Sequence, residues 1–285
     1  MFQKIIEIAL AEDCALDDVT SDLVVAKDSL VTFEINAREE IIFCGKEAIS
    51  EVFATLKRTA KFKNSKLDLE IFAKDGDVLA PGKSIARGQG DAKLIFASER
   101  VLLNLIQHLS GVATLTNQFV LKLQNPKIKI LDTRKTIPGL RAAQKYAVLV
   151  GGGKNHRFNL SDMVLIKDNH IAAAGGVANA LHLAQESHKK IEIECDNFSQ
   201  VCEVLECAKT ELPDVIMLDN MNVGEIAKCA KKIREKSKKI KIEISGGVNL
   251  NNISRFAKID VDFISIGYLT HSARAVDIGL DIVKF

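Results

Sequence analysis

The chain has 285 residues, 47% hydrophobic and 27% charged, with 39 Lys and Arg against 37 Asp and Glu and a formal net charge of +2. That composition is globular, too apolar for a disordered chain and too charged for a membrane bundle, and long enough for one large domain or two unequal ones without disulfide staples. With no Trp, two Tyr and 5% aromatics, the near-neutral chain lacks both the base-stacking surface and the basic footprint of a nucleic-acid binder.

At the N-terminus, Met1–Leu10 carries Lys4 and Glu7 inside an apolar stretch, which reads as a short amphipathic helix and not as a signal peptide. No apolar run reaches the ~18 residues that span a bilayer. The expectation is a soluble, cytoplasmic protein with neither membrane nor nucleic-acid partners. Six cysteines (Cys14, Cys44, Cys195, Cys202, Cys207, Cys229) form no Cys-x-x-Cys pair and read as buried, reduced thiols. Val31–Ala37 and Leu67–Phe72 alternate like half-buried strands. Asp75-Gly76-Asp77 is a turn signal, which predicts a hairpin between Leu69–Ala73 and Val78–Ala86. Ser98–Leu109 carries a helical apolar stripe. The character of the chain changes near residue 110, predicting a first domain over 1–109, with 275–285 available to return to it, and a second over 110–274.

From Ile128 a rhythm sets in. Six β-branched runs each end in a polar cluster: Ile128–Arg134, Met163–Asn169, Ile191–Asn197, Asp214–Asn220, Lys241–Gly247 and Phe263–Gly267. Stretches of helical length separate most of them, notably Gly175–Ser187, Ser199–Lys209 and Val223–Ser237. Alternating strands and helices imply parallel pairing with right-handed crossovers, and six such units favour a (β/α) barrel over an open doubly wound sheet. In a barrel, chemistry sits at the C-terminal strand ends, where the polar clusters fall.

Leu131–His170 holds seven Lys and Arg against three Asp, a local charge of +4, leaving −2 for the rest of the chain. Arg134, Arg157 and Lys167 point to a polyanionic small molecule at the barrel mouth, whereas Lys145 and Lys154 read as surface charges. Lys231–Lys241 reads as a solvated helix face and loop. Ser245-Gly246-Gly247 and Ile266-Gly267-Tyr268 close the last two strands, where glycines let backbone N–H groups approach a phosphate. Gly151-Gly152-Gly153-Lys154 fails as a P-loop, because Val148 stands at its first glycine position and Asn155 replaces its Ser/Thr. A glycine-rich loop delivering His156 and Arg157 to the site is the better reading. Glu194 and Asp219 could hold ribose hydroxyls, bind Mg²⁺ or stabilise a cationic transition state, or pair with the arginines to keep an empty site folded. A carboxylate beside Lys167 also permits a Schiff-base lyase or aldolase with Lys167 as nucleophile.

Several blocks together resemble the quinolinate phosphoribosyltransferases: Glu99–Thr116, DTRKTIPGLR at Asp132–Arg141, Lys145–Ile171 with its GGGKNHR and KDNH segments, IEIECDN, IMLDN, EISGGVN and Ile266–Leu280. The likeness runs from about Ala11 to the C-terminus. It departs at Asp17, where the family places glycine before Asp18. The resemblance implies an N-terminal α/β sandwich packed on an incomplete TIM-like barrel, assembled as a homodimer open to higher assembly. It implies phosphoribosyl transfer from 5-phosphoribosyl-1-pyrophosphate (PRPP) to quinolinate, yielding nicotinate mononucleotide, pyrophosphate and CO₂ in NAD biosynthesis. The roles it implies are Arg134, Arg157 and Lys167, with His156 beside them, on the quinolinate carboxylates, Thr133 as a further substrate-binding residue, and Arg100 reaching into the partner's site. Lys135 meets the pyrophosphate, Glu194 and Asp219 the ribose and its metal, and Ser245, Gly246, Gly247, Ile266, Gly267 and Tyr268 the 5-phosphate. Lys135, Glu194 and Asp219 are the implied catalytic residues. No organic cofactor is implied, only Mg²⁺ with PRPP.

Overall fold

The computed structural model describes residues 1–207 and 211–283, which divide into two compact units. The first comprises Met1–Asn117, Ile137–Gly152 and Ser272 onward. Its N-terminal helices are α1 (Gln3–Glu12) and α2 (Val19–Val24), and the Asp18 carboxylate caps α2 by accepting the N–H groups of Thr20 and Ser21, each at 3.1 Å. Strand β1 (Leu30–Ala37) is followed by the short β2 (Ile41–Ile42), α3 (Lys46–Lys57), β3 (Leu67–Ile71), β4 (Val78–Leu79) and β5 (Ser84–Asp91). The long helix α4 (Ala92–Leu123) starts in this unit, and α5 (Arg141–Val150) lies within it. The final strand β12 (Ile278–Val283) completes a four-stranded antiparallel sheet in the order β12-β1-β5-β3. Alternate side chains of β1, among them Phe33 and Ile35, are fully buried, as are Ile49 and Val52 of α3.

The second unit comprises Gln118–Thr136 and Gly153–His271. Its strands β6 (Lys129–Leu131), β7 (Val164–Ile166), β8 (Ile191–Cys195), β9 (Val215–Asp219), β10 (Lys241–Ser245) and β11 (Phe263–Ser265) form one parallel sheet in the order β6-β11-β10-β9-β8-β7. Helices α6 (Asp168–Ala174), α7 (Val177–Gln185), α8 (Phe198–Glu206), α9 (Val223–Lys236) and α10 (Tyr268–His271) lie between or after them. A single parallel bridge from Lys154 to Leu131 extends the sheet beyond β6. Among the described residues no ladder joins that bridge to β7, so the barrel is incomplete. Ile193, Ile216, Leu218, Ile242 and Ile264 have no solvent exposure, as strands buried on both faces require. Each such burial contributes about 1.5–3 kcal/mol. Asn197 and Asn222 cap α8 and α9, accepting the N–H groups of Gln200 and Glu225 at 3.0 Å. Part of the polar signal after these strands is therefore helix capping.

The structure corrects several expectations. Val78–Ala86 is not one strand: Pro81 and Gly82, at φ +80°, break it. Its first half, β4, pairs with β2, while β3 pairs with β5. The stripe at Ser98–Leu109 is the middle of a 32-residue helix that runs through residue 110. The helical stretch expected at Gly175–Ser187 is present as α7, with left-handed Gly175 ending α6 and Gly176 preceding the first turn. The helix expected over Ser199–Lys209 is α8, and residues 208–209 lie outside the described residues. Lys145 is fully buried on α5 and is no surface charge. All six thiols are unpaired, but only Cys44, Cys195 and Cys229 are buried, and Cys14 is exposed. Asp17 needs no glycine, since the left-handed residue of that turn is Cys14 at φ +49°. Among the described residues no helix is long and apolar enough to cross a membrane.

Candidate active site

At the C-terminal ends of the parallel strands lies a cavity of about 460 Å³. Alternation explains how the strands feed it. Side chains two apart on a strand share a face, so Leu165 and Lys167, Glu192 and Glu194, and Met217 and Asp219 each pair an inward residue with one at the mouth. Thr133, Arg134, Lys135, His156, Arg157 and Lys167 line the cavity, as do Glu194, Asp219, Ser245, Gly246 and Gly247. Leu165, Met217, Asn220 and Ser265 complete the wall. Ile266, Gly267 and Tyr268 do not line it. Gly267 lies beside it, and a Cβ there would sit 2.9 Å from the Lys135 side chain. Arg100 belongs to the first unit, on α4, with its side chain 58% exposed.

Four cations face two carboxylates across this wall. Lys167 Nζ donates to Glu194 Oε2 at 2.6 Å, the geometry of an ammonium–carboxylate pair. Arg157 Nη1 donates to the Met163 carbonyl at 3.3 Å. Burial, then the neighbouring Arg134 charge, hold Arg157 below its ordinary value, while Glu192 and Asp162 oppose them. The Nε of Arg134 is buried with no hydrogen-bond partner. Arg134 itself lines the cavity, and a guanidinium with an N–H unpartnered in the protein gains an anion's charge at little further desolvation cost.

Across the cavity, Asn220 donates its N–H to the Ser245 carbonyl at 3.0 Å and its side-chain amide to Asp219. The turn after β10 passes so close that a Cβ on Gly246 would lie 2.1 Å from Asn220 Oδ1, and Gly246 itself is at φ +85°. Both facts require glycine there. Oxygens of Glu194, Asp196 and Asp219 lie within 4.8 Å of one another. An all-oxygen carboxylate set of that spacing suits Mg²⁺, which binds through one or two carboxylates plus substrate phosphates.

Beneath the mouth lies a second cluster. His156 is turned inward, its side chain 8% exposed, and its Nε2 sits 3.1 Å from Glu192 Oε2 and 3.5 Å from Glu243 Oε1. The longer distance is ion-pair reach only, and Glu192 Oε1 and Glu243 Oε1 have no hydrogen-bond partner. The Asp132 carboxylate, itself fully buried, accepts the His156 backbone N–H at 2.9 Å. Burial, then the Glu192 charge, push Glu243 up to about 8. Sequence reasoning missed Glu192, Glu243 and Asn220, and gave Asp196 a place in a strand-end polar cluster but no role in the site. A signal for the first two exists: each is an acidic residue inside an apolar strand, two positions before a mouth residue.

Comparison with known proteins fits this architecture. Residues 18–110 match the family described as quinolinate phosphoribosyl transferase, N-terminal domain, and residues 112–281 match its C-terminal domain. A probable nicotinate-nucleotide pyrophosphorylase [carboxylating] of Methanocaldococcus jannaschii is 41% identical over 99% of this chain and 97% of its own. Its counterpart in Bacillus subtilis is 40% identical over 98% of this chain and 93% of its own. The crystal structure of nicotinate-nucleotide pyrophosphorylase from Ehrlichia chaffeensis superposes with a TM-score of 0.90 at 42% identity, covering 99% of both chains. With both domains matched in order and relatives aligned end to end, the chain belongs to the quinolinate phosphoribosyltransferase family.

Proposed function

We propose that this enzyme transfers the phosphoribosyl group of PRPP to the ring nitrogen of quinolinate, releasing pyrophosphate and CO₂ and leaving nicotinate mononucleotide for NAD biosynthesis. The observation that carries the reading is the cavity at the strand ends walled by four cations, Arg134, Lys135, Arg157 and Lys167. Quinolinate bears two adjacent carboxylates, which suit forked guanidinium donors, with Lys167 as a point charge beside them and Thr133 at the rim. Lys135 faces the pyrophosphate. Ser245, Gly246 and Gly247 cradle the 5-phosphate, with Ile266, Gly267 and Tyr268 behind them.

As the C1–pyrophosphate bond breaks, its electron pair leaves with pyrophosphate and C1 becomes cationic. Glu194 and Asp219 stabilise that charge electrostatically. The quinolinate nitrogen donates its lone pair to C1 and becomes a pyridinium. That charge accepts the electron pair of the C2–carboxylate bond as CO₂ departs, and C2 then takes a proton. Mg²⁺, held by Glu194 and Asp219 with Asp196 near them, would neutralise charge on the pyrophosphate. Lys167 paired with Glu194 at 2.6 Å is placed as an anion-binding ammonium, which disfavours the Schiff-base alternative. The reading places the enzyme in the cytoplasm as a homodimer, with Arg100 serving the partner's site. Incubation with PRPP, Mg²⁺ and quinolinate should release CO₂, and omission of either substrate should abolish it. Borohydride trapping of a substrate on Lys167 would overturn the assignment in favour of a lyase.

A further inference from the structure

Asn220 lies on the cavity wall immediately after β9. Three roles are open to it: a substrate ligand, a bend in the backbone, or a link between its neighbours. Its backbone is left-handed at φ +53°, a conformation that Gly takes freely and that Asn and Asp take more readily than other residues. That accounts for the residue class but not for the aim of the amide. Asn220 Nδ2 donates to Asp219 Oδ2 at 2.5 Å. A carboxylate only accepts, so the NH₂ end of the amide must face Asp219 and its carbonyl end must face elsewhere. The carbonyl end faces the turn after β10, where a Cβ on Gly246 would sit 2.1 Å from Asn220 Oδ1 and 2.5 Å from Cγ. The amide thus fills the space that this glycine leaves. The backbone N–H of Asn220 donates to the Ser245 carbonyl at 3.0 Å, one step past the last ladder pair, Asp219 with Ser245. Asn222 already caps α9, so the connection has no slack.

We propose that Asn220 is a positioning residue that locks the two halves of the PRPP site together: its amide N–H holds the Asp219 carboxylate, while its backbone N–H and its carbonyl end hold the turn at Ser245, Gly246 and Gly247. The proposal rests on the reading that Asp219 faces the ribose and that this turn faces the 5-phosphate. In PRPP the 5-phosphate and C1 stand on opposite sides of one ribose ring, so the carboxylate and the phosphate cradle must keep a fixed separation. β9 and β10 are neighbouring strands whose ends carry the two groups. Backbone hydrogen bonds fix the strands, and Asn220 extends that fixing to the Asp219 side chain. Electrostatic stabilisation depends on a charge already in place when C1 becomes cationic, and a carboxylate free to rotate would spend part of its time elsewhere. The residue type follows from these demands. Gly would accept the backbone but leave the carboxylate unheld. Asp would accept the backbone but set a second negative charge against Asp219. With one residue holding both groups, binding energy from the remote phosphate is available at the reacting carbon.

Kinetics and stability test the two ends of the link separately. Asn220→Gly retains the left-handed backbone and loses the amide. It should lower kcat about 10- to 100-fold, the cost of a misplaced catalytic group, and leave the KM values for PRPP and quinolinate within about threefold of wild type. Asn220→Asp keeps the shape but presents no donor to Asp219, and its kcat should fall at least as far. Unchanged kcat in Asn220→Gly, or near-wild-type kcat in Asn220→Asp, would overturn the proposal. So would a raised KM for PRPP at unchanged kcat, which would make Asn220 a substrate ligand. The second measurement needs no substrate. In the wild type, Gly246→Ala meets both the left-handed strain and the Asn220 amide. In the Asn220→Gly background the two closest atoms are gone, leaving the strain and the backbone nitrogen at 2.8 Å. The drop in Tm caused by Gly246→Ala should therefore be smaller in Asn220→Gly than in the wild type. Equal drops would show that the amide does not occupy that space, and the link would fail whatever the substrate is. Failure of the wild type to release CO₂ from quinolinate and PRPP would instead defeat the functional reading and leave the Tm comparison standing.

Discussion

If the proposed function holds, substrate choice turns on Arg134, which lines the cavity and whose Nε has no partner within the protein. Arg134→Ala should weaken quinolinate binding by about 2–5 kcal/mol, the cost of removing one partner of a desolvated charge pair, with PRPP binding little changed in calorimetry. Nicotinate, lacking the second carboxylate, should be a poor substrate, and efficient wild-type turnover of it would refute the two-carboxylate arrangement. Glu194→Gln and Asp219→Asn should lower kcat more than they raise either KM, since their charge matters most when C1 is cationic. Unchanged kcat with impaired PRPP binding would reassign them as ribose ligands. Glu243 makes a prediction about stability. Burial and the Glu192 charge raise it from 4.5 to about 8 in the folded protein. The native state therefore holds a proton that the unfolded chain has released. The associated stability is complete below the unfolded value of 4.5 and is lost as pH rises toward about 8. Thermal melts should show a steeper fall between about pH 5 and pH 8 for wild type than for Glu243→Gln. Parallel curves would show that Glu243 does not hold that proton.

At the scale of elements, the turns at strand and helix ends set the site's dimensions. Gly246 stands in left-handed backbone, with no room for a Cβ against Asn220. Gly246→Ala should cost about 1–2 kcal/mol in backbone strain alone and, on the proposed placement of the 5-phosphate against this turn, should raise the KM for PRPP. An unchanged KM with lowered Tm would confine this glycine to folding. Gly151, in the first unit, ends α5 where a Cβ would lie 2.4 Å from the Ala113 carbonyl of α4. Gly151→Ala should destabilise by about 1–3 kcal/mol, read as a lower denaturant midpoint at unchanged slope. Gly151 thus serves helix packing and Gly152, at φ +92°, chain reversal, ahead of the cavity-lining His156 and Arg157.

For the whole molecule the open element is assembly. Val19, Leu23 and Val24 of α2 are at least 70% exposed, an apolar cluster at the surface of the single chain. We expect a dimer in which Arg100 completes the neighbour's site. Co-refolding equal amounts of two nearly inactive variants, Arg100→Ala and Lys135→Ala, makes half the dimers mixed, each with one intact site. Activity should recover to roughly a quarter of wild type under two-fold symmetry. No recovery, with mixed dimers confirmed by mass, would place Arg100 in its own chain's site.

The parallel barrel and the basic mouth were legible in the sequence because both are written locally. β-branched runs ending in Asp, Arg, Lys or Gly repeat at βα spacing, and strand ends are where loops project side chains. The motif blocks DTRKT, NHR and KDNH added the family and its substrates. What only the tertiary structure decided is how distant segments meet. Val78–Ala86 alternates well enough for one strand, yet Pro81 and Gly82 send its halves to different sheets. Lys145 has the composition of a surface residue, yet the packing of α5 leaves it no exposure. Glu192 and Glu243 lie 51 positions apart on strands that are not neighbours in the sheet, and nothing in either strand alone marks their meeting at the ring of His156. Periodicity reports which face a side chain takes. Which partners wait on that face is set by sheet order and stagger, and these are properties of the folded chain alone.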